Sequence, residues 1–380
     1  MASAAFVQTP VRTDLPKLFD QTYLDTFNQK FAMSDRYQIM NKQTFLDWWK
    51  IHDPPPRSAR NSTMSKRTRY SRLRANENKT IEEKTGELLA STVCGKSIGN
   101  DYSKYTSTHL FTDPNYDVAI VVDVRKLHLY TRRSLRPNTI QRKKASFIAG
   151  FIIAEWRECE WKPAFSVNLI CVNQSKQVSI PPRLGSKLMA MFLCSILNLP
   201  AGYLREAVLE LSGGIRRNTA GFISYSSLGF RYKPDLYRVF TAHDGRVLSC
   251  FSDKKNYPMK IDLTADILPN TGYEYVYAQN IDDYDSYMLK PGAQYEKITE
   301  NTLVDIAMGR RKNIMYANDD PNLQTFLTLR PNKDETLTKN QGYWITYFKQ
   351  HYSAELDAAI AADPNAFHDD LVNGSASSSP

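Results

Sequence analysis

Phe165-Ser-Val-Asn-Leu-Ile-Cys-Val172, then Ser179-Ile-Pro-Pro-Arg-Leu-Gly-Ser-Lys187, and finally Ala207-Val-Leu-Glu-Leu211 are the pieces whose reading decides the fold. The first is a mostly apolar run bounded by polar residues, which predicts a buried strand. A polar loop follows. Leu184 then opens a helix in which Leu188, Met191, Phe192, Ile196 and Leu199 hold the helical period, and Pro200 stops it. The last piece is a second strand. A strand, a crossover helix and another strand imply a parallel βαβ unit.

Upstream, Asp117-Val-Ala-Ile-Val-Val-Asp123 and Ala145-Ser-Phe-Ile-Ala-Gly-Phe-Ile-Ile-Ala154 read as two more buried strands. Downstream, Thr219 to Leu228 reads as a helix ended by Gly229, the residue type favoured just past a helix. The expectation for the middle of the chain is therefore an α/β fold with a mixed sheet.

The flanks read differently. The first 53 residues are expected to be helical: Asp14 precedes Pro16 as a cap, and Phe19, Tyr23, Phe27 and Phe31 recur on one helix face. That stripe is either covered by a larger body or presents a stacking surface. Thr44 to His52, with Phe45, Trp48 and Trp49, continues the helical region. Pro54-Pro55-Pro56 ends it. A short helix is expected within 81–94. Beyond 231, short strands are expected at Arg238–Phe240, Arg246–Phe251 and Tyr273–Tyr277, with a helix about Tyr343, Trp344, Tyr347 and Phe348. The expected divisions are 1–53 helical, 54–80 a linker or arm, 81–240 the core, 241–350 a C-terminal extension, and 351–380 a terminal helix and disordered tail.

Composition bounds the function classes. Of 380 residues, 42% are hydrophobic and 23% charged, which excludes wholesale disorder. No run approaches the length of a membrane-spanning helix, so no membrane partner is expected. The N-terminal residues lack the order of a secretory signal, giving an intracellular expectation, cytoplasmic or nuclear. Five scattered cysteines without a CxxC pair read as reduced thiols, and six dispersed histidines give no metal site. The net charge of +9 is concentrated: residues 57–79 carry Arg57, Arg60, Lys66, Arg67, Arg69, Arg72, Arg74 and Lys79 against Glu77. Such an arm suits nucleic acid or an acidic protein partner, or is a solvated linker.

The loop Arg183, Leu184, Gly185, Ser186 and Lys187 would offer free amides at a helix start, suited to a pyrophosphate, with charge from Arg183 and Lys187. After it, Asn218, Gly221, Tyr225, Gly229 and Phe230 follow a second spacing. Together these resemble the GCN5-related N-acetyltransferase family across residues 117–240, each motif being specific only with the other. The resemblance implies a mixed central sheet with flanking helices and acetyl-CoA bound by that loop. It further implies that strands 165–172 and 207–211 splay, that the backbone of Leu169, Ile170, Cys171 and Val172 pairs with the pantetheine arm, and that Asn218 contacts the cofactor. Tyr225 would protonate the departing thiolate, and an amine substrate would attack directly. Where the family loop carries Gln or Arg and a middle Gly, this chain has Ile180 and Arg183. The central strand carries no carboxylate, and Glu155, ahead of Glu158 and Glu160, is the expected general base. The alternative is a non-catalytic descendant of the same fold serving as a binding or structural component.

Overall fold

The computed structural model describes residues 17–52, 80–90, 92, 114–126, 147–159, 162–173, 178–203, 205–211, 221, 224–233, 239–241, 247–249, 257–268, 295–316, 319, 323 and 327. The cap expected at Asp14, the basic arm at 57–79, the strand at Tyr273–Tyr277, the helix about Tyr343 and the tail lie outside the described residues. The described helices are α1 (Gln21–Lys30), α2 (Lys42–His52), α3 (Ile81–Ala90), α4 (Leu184–Leu197) and α5 (Glu300–Met308). The strands are β1 (Tyr37–Asn41), β2 (Tyr116–Asp123), β3 (Ile148–Cys159), β4 (Lys162–Val172), β5 (Glu206–Leu211), β6 (Arg231–Tyr232), β7 (Val239–Thr241), β8 (Val247–Ser249), β9 (Tyr257–Asp262), β10 (Asp266–Ile267) and β11 (Glu296–Lys297). No helix among the described residues is long and apolar enough to cross a membrane.

The chain is mixed α/β. Seven strands form one mixed sheet in the order β1-β2-β3-β4-β5-β9-β6, and β7 pairs with β8 and β10 with β11 separately. Contacts divide the chain into two units, residues 1–155 with 169–188, and residues 156–168 with 189–380.

In the first unit, β1, β2 and β3 form an antiparallel meander. The helical expectation for the whole N-terminus is corrected here: Tyr37–Asn41 is a strand paired along β2. Helix α1 begins at Gln21 with Asp20 as its cap, the carboxylate accepting the Tyr23 amide at 3.1 Å. Its aromatic stripe is covered. Phe27 and Phe31 are buried, their rings stack at 5.0 Å, and Tyr23 meets Phe27 edge-on at 5.1 Å. Asn41 caps α2 through Thr44, and Thr80 and Glu83 form a reciprocal capping box on α3. Alternate β2 residues Val118, Ile120 and Val122 join Phe45, Leu46, Leu88 and Leu89 in one apolar cluster. Between them Ala119 and Val121 are also buried, so both faces of β2 are covered and the strand reads as an unbroken apolar run. Where Val121 faces Gly150 and Val122 faces Ile148, the register skips Ala149, a bulge in β3. A Cβ on Gly150 would stand 2.6 Å from the Cys171 carbonyl and 2.9 Å from Leu184 Cδ2. Glycine there lets the first turn of α4 lie directly on the sheet.

In the second unit, β4 and β5 pair in parallel at Phe165↔Ala207, Ser166↔Val208 and Val167↔Leu209. β4 extends to Val172 and β5 to Leu211. β9 pairs antiparallel with β5 along its whole length and with β6 on its other side. From Met189 to Cys194 every residue of α4 is buried, the mark of a helix covered all round. Thr299 caps α5, and Gly309 closes it in the left-handed conformation at φ 82°. The sheet therefore takes strands from both sides of the expected 81–240 core.

Candidate functional site

The turn into α4 is built as follows. Tyr37 donates its hydroxyl hydrogen to Ser179 Oγ at 2.8 Å, fixing the loop's start against β1. Pro181 is buried, while Pro182 and Arg183 are exposed. Arg183 adopts φ 57°, a left-handed conformation that disfavours any residue with a Cβ by roughly 1–2 kcal/mol. Its carbonyl accepts the Lys187 amide at 3.0 Å, the first helical bond of α4. The amides of Leu184, Gly185 and Ser186 precede that bond and have no carbonyl a turn back to bind. Gly185 has an ordinary backbone, and a Cβ there would meet Val172 Cγ2 at 3.5 Å, a normal contact.

Lys187 differs from its expected role. Its amide is spent in the helix, and its buried ammonium donates to the Phe31 carbonyl at 3.0 Å, at the C-terminal end of α1. Desolvation, then the charge of Arg183, lowers its pKa from the ordinary lysine value. The charge expected to face a phosphate is turned into the protein, because a long side chain one turn inside a packed helix follows the nearest unfilled carbonyl.

Along β4, Cys171 is fully buried, and Leu169, Ile170 and Val172 are partly so. Asn173 ends the strand, its amide donating to the Ala149 carbonyl and its side-chain nitrogen to the Ile148 carbonyl, both at 2.9 Å. Cys171 is disulfide-bonded, with a partner outside the described side chains. This corrects the expectation of reduced thiols: pairing depends on approach in space, which widely separated cysteines do not reveal. Cys194 is a free, buried thiol.

Tyr225 lies in a turn of helix at 224–227. Its carbonyl accepts the Leu228 and Phe230 amides at 3.0 and 3.1 Å, and its ring meets Phe230 edge-on with centroids 6.4 Å apart. Burial pushes the Tyr225 phenol up to about 12. Gly229 has φ 104°, and a Cβ on it would stand 2.8 Å from the Tyr316 hydroxyl and 2.9 Å from Ile261 Cδ1. Both a left-handed conformation and a close approach therefore require this glycine. Glu155 pairs with Tyr116 in the β2–β3 ladder and follows Phe151 and Ile153 on one face of β3. Asn218 lies outside the described residues.

No known family model matches the chain, and no curated protein matches it. The candidates divide between the two units. The cofactor-side residues, Leu169 to Val172 and Arg183 to Lys187, and Glu155 all belong to the first unit, and Tyr225 belongs to the second. Sequence reasoning passed over Arg231, Tyr316 and Asp319. Arg231 directly follows the Gly229-Phe230 pair, and that adjacency was the one available signal.

Proposed function

We propose that the chain binds acetyl-CoA and acetylates an amine by direct attack in a ternary complex. Gly185 carries this reading. The fold does not need glycine there, and glycine in a helix disfavours it by about 1 kcal/mol relative to alanine. Close approach of an external group, such as a pyrophosphate, to the Leu184, Gly185 and Ser186 amides accounts for it. The left-handed Arg183 stands where the resembled family's loop carries glycine, so the turn keeps that conformation at the expense of strain.

When bound, acetyl-CoA supplies an activated acyl group. The Leu184, Gly185 and Ser186 amides would hold its pyrophosphate, with Asn218 as a further contact. The backbone of Leu169 to Val172 would align the pantetheine arm. Tyr225 would hold the proton that the departing thiolate takes, and Glu155 would receive the proton that the amine releases. With its phenol at about 12, Tyr225 stays protonated throughout the physiological range, so it sets no alkaline limb on the rate below about pH 10.

The same observation favours a second reading. A phenol at about 12 is a weaker acid than an ordinary tyrosine, and Lys187 faces inward, as in a fold that keeps the scaffold without turnover. Calorimetric titration of acetyl-CoA into the protein and into Gly185→Ala decides the first point. Binding is expected for the natural chain, weakened at least ~10-fold, about 1.4 kcal/mol, in the variant. No heat at millimolar acetyl-CoA would sink the cofactor reading. Binding without thiol release across a panel of primary amines would leave the non-catalytic scaffold.

A further inference from the structure

The turn that carries Tyr225 is held by a segment far along the chain, and one guanidinium makes most of the joints. All five hydrogens of the Arg231 guanidinium are used. Nε donates to Asp319 Oδ1 at 2.7 Å. Nη1 donates to the Ser226 and Phe230 carbonyls at 2.7 and 2.9 Å. Nη2 donates to the Ile314 carbonyl at 3.0 Å and to Asp319 Oδ2 at 2.7 Å. The Arg231–Asp319 pair is thus bidentate and partly buried, with two parallel charge-assisted hydrogen bonds that make it directional. Beneath the guanidinium lies the Tyr316 ring, 4.7 Å from Arg231 Cζ, and the Tyr316 hydroxyl donates to the Gly229 carbonyl at 2.8 Å. The Ile314 amide donates to the Ser227 carbonyl at 2.8 Å, and the Tyr316 amide to Asp319 Oδ2 at 2.8 Å.

Ser226, Ser227, Gly229 and Phe230 thus each give a carbonyl to this network, while Tyr225 gives its own carbonyl to the turn they form. With every guanidinium hydrogen used, a displacement of the turn breaks several of these bonds at once, although the Ser226 hydroxyl beside them is buried without a hydrogen-bond partner. The group with reactive chemistry in the turn so fixed is the Tyr225 phenol. We propose that Arg231, Asp319 and Tyr316 are positioning residues for Tyr225, so that the C-terminal extension sets the orientation of the proton donor. The catalytic meaning of that orientation rests on the acetyltransferase reading above. The positioning itself does not.

The experiment uses the full chain with 3-fluorotyrosine at 225, in the natural background, in Tyr316→Phe, which keeps the ring under the guanidinium, and in Asp319→Ala. The natural chain is expected to give one sharp fluorine resonance at neutral pH. Both variants, folded by circular dichroism, are expected to shift or split that resonance. In parallel, kcat for thiol release is expected to fall at least ~10-fold, with the KM for acetyl-CoA within about twofold, the signature of a lost interaction at the reacting group. An unchanged fluorine resonance in folded Tyr316→Phe and Asp319→Ala would overturn the positioning. Absence of acetyl-CoA binding by the natural chain would overturn the catalytic reading alone, since the fluorine measurement needs no ligand.

Discussion

At the residue scale, two glycines of the expected motif separate cleanly by cause. Gly229 is required by the fold: its φ is 104° and the Tyr316 hydroxyl and Ile261 Cδ1 occupy the place of a Cβ. Gly229→Ala combines the left-handed penalty, roughly 1–2 kcal/mol, with overpacking of roughly 1–3 kcal/mol. Urea unfolding should show a loss of about 2–4 kcal/mol, and a loss below about 1 kcal/mol would mean that the close contact is not as described. Gly185→Ala, with its ordinary contact at 3.5 Å, should leave the midpoint unchanged or slightly raised while weakening acetyl-CoA binding. Asp117 carries a different prediction. Its carboxylate accepts the Leu18 amide at 2.8 Å, and desolvation raises its pKa above the ordinary carboxylate value. A carboxyl that is harder to ionise in the folded state gives stability that is present at low pH and lost as pH rises through the raised value. Asp117→Asn keeps an acceptor for Leu18 and removes that loss. The variant should gain on the natural chain as pH rises from about 4 to 7, measured by melting temperature, and parallel curves would refute the assignment.

At the element scale, the strands that read most clearly are those whose two faces are both covered. In β2 this burial yields an unbroken apolar run, and the same holds for the buried length of α4, bounded by the turn at Arg183 and by Pro200. β1 was hidden because Tyr37-Gln-Ile-Met-Asn41 is short and follows an aromatic helical stripe whose period dominates the region. The Tyr37 and Ile39 alternation was the available signal. β9 was hidden by Pro258, which lacks the amide a central strand normally uses, yet the Pro258 carbonyl still accepts the Lys233 amide at 3.0 Å. α5 was marked by Thr299 and Gly309 at its two ends, a start and stop that the Tyr- and Asp-rich composition around it obscured. Of the site, the loop at 183–187 and the Gly229-Phe230 pair were legible as motifs. The inward turn of Lys187 and the Arg231 network were not, because both depend on partners 156 and 88 residues away in sequence. The packing of α4 on β3 supplies an element-scale prediction. Gly150→Ala places a Cβ against the Cys171 carbonyl, which cannot yield as a side-chain tip would. A loss of about 1–3 kcal/mol is expected. Because Leu184 is the next contact, weaker acetyl-CoA binding should accompany the loss. Unimpaired binding in the destabilised variant would show that the first turn of α4 keeps its place without the glycine.

At the scale of the whole molecule, the question is which residues the sheet cannot lose. A fragment of residues 81–240, the core expected from the motifs, lacks β1 and β9. Losing β1 uncovers the edge of β2, whose residues are buried from Val118 to Asp123. Losing β9 has a larger effect, since β9 pairs with β5 at every position from Glu206 to Leu211 and also carries β6. Without it, Ala207, Val208 and Leu209, each no more than 2% exposed, border an unpaired strand edge, a template for association between chains. The same fragment also lacks Ile314, Tyr316 and Asp319, so the partly buried guanidinium of Arg231 loses its carboxylate partner and one carbonyl acceptor. A small domain's entire stability is about 5–15 kcal/mol. The fragment should therefore aggregate or melt without a cooperative transition, whereas the full chain should stay monodisperse under the same conditions and unfold cooperatively. A monomeric, cooperatively melting 81–240 fragment would mean that β9 and the 314–319 segment decorate the sheet rather than complete it.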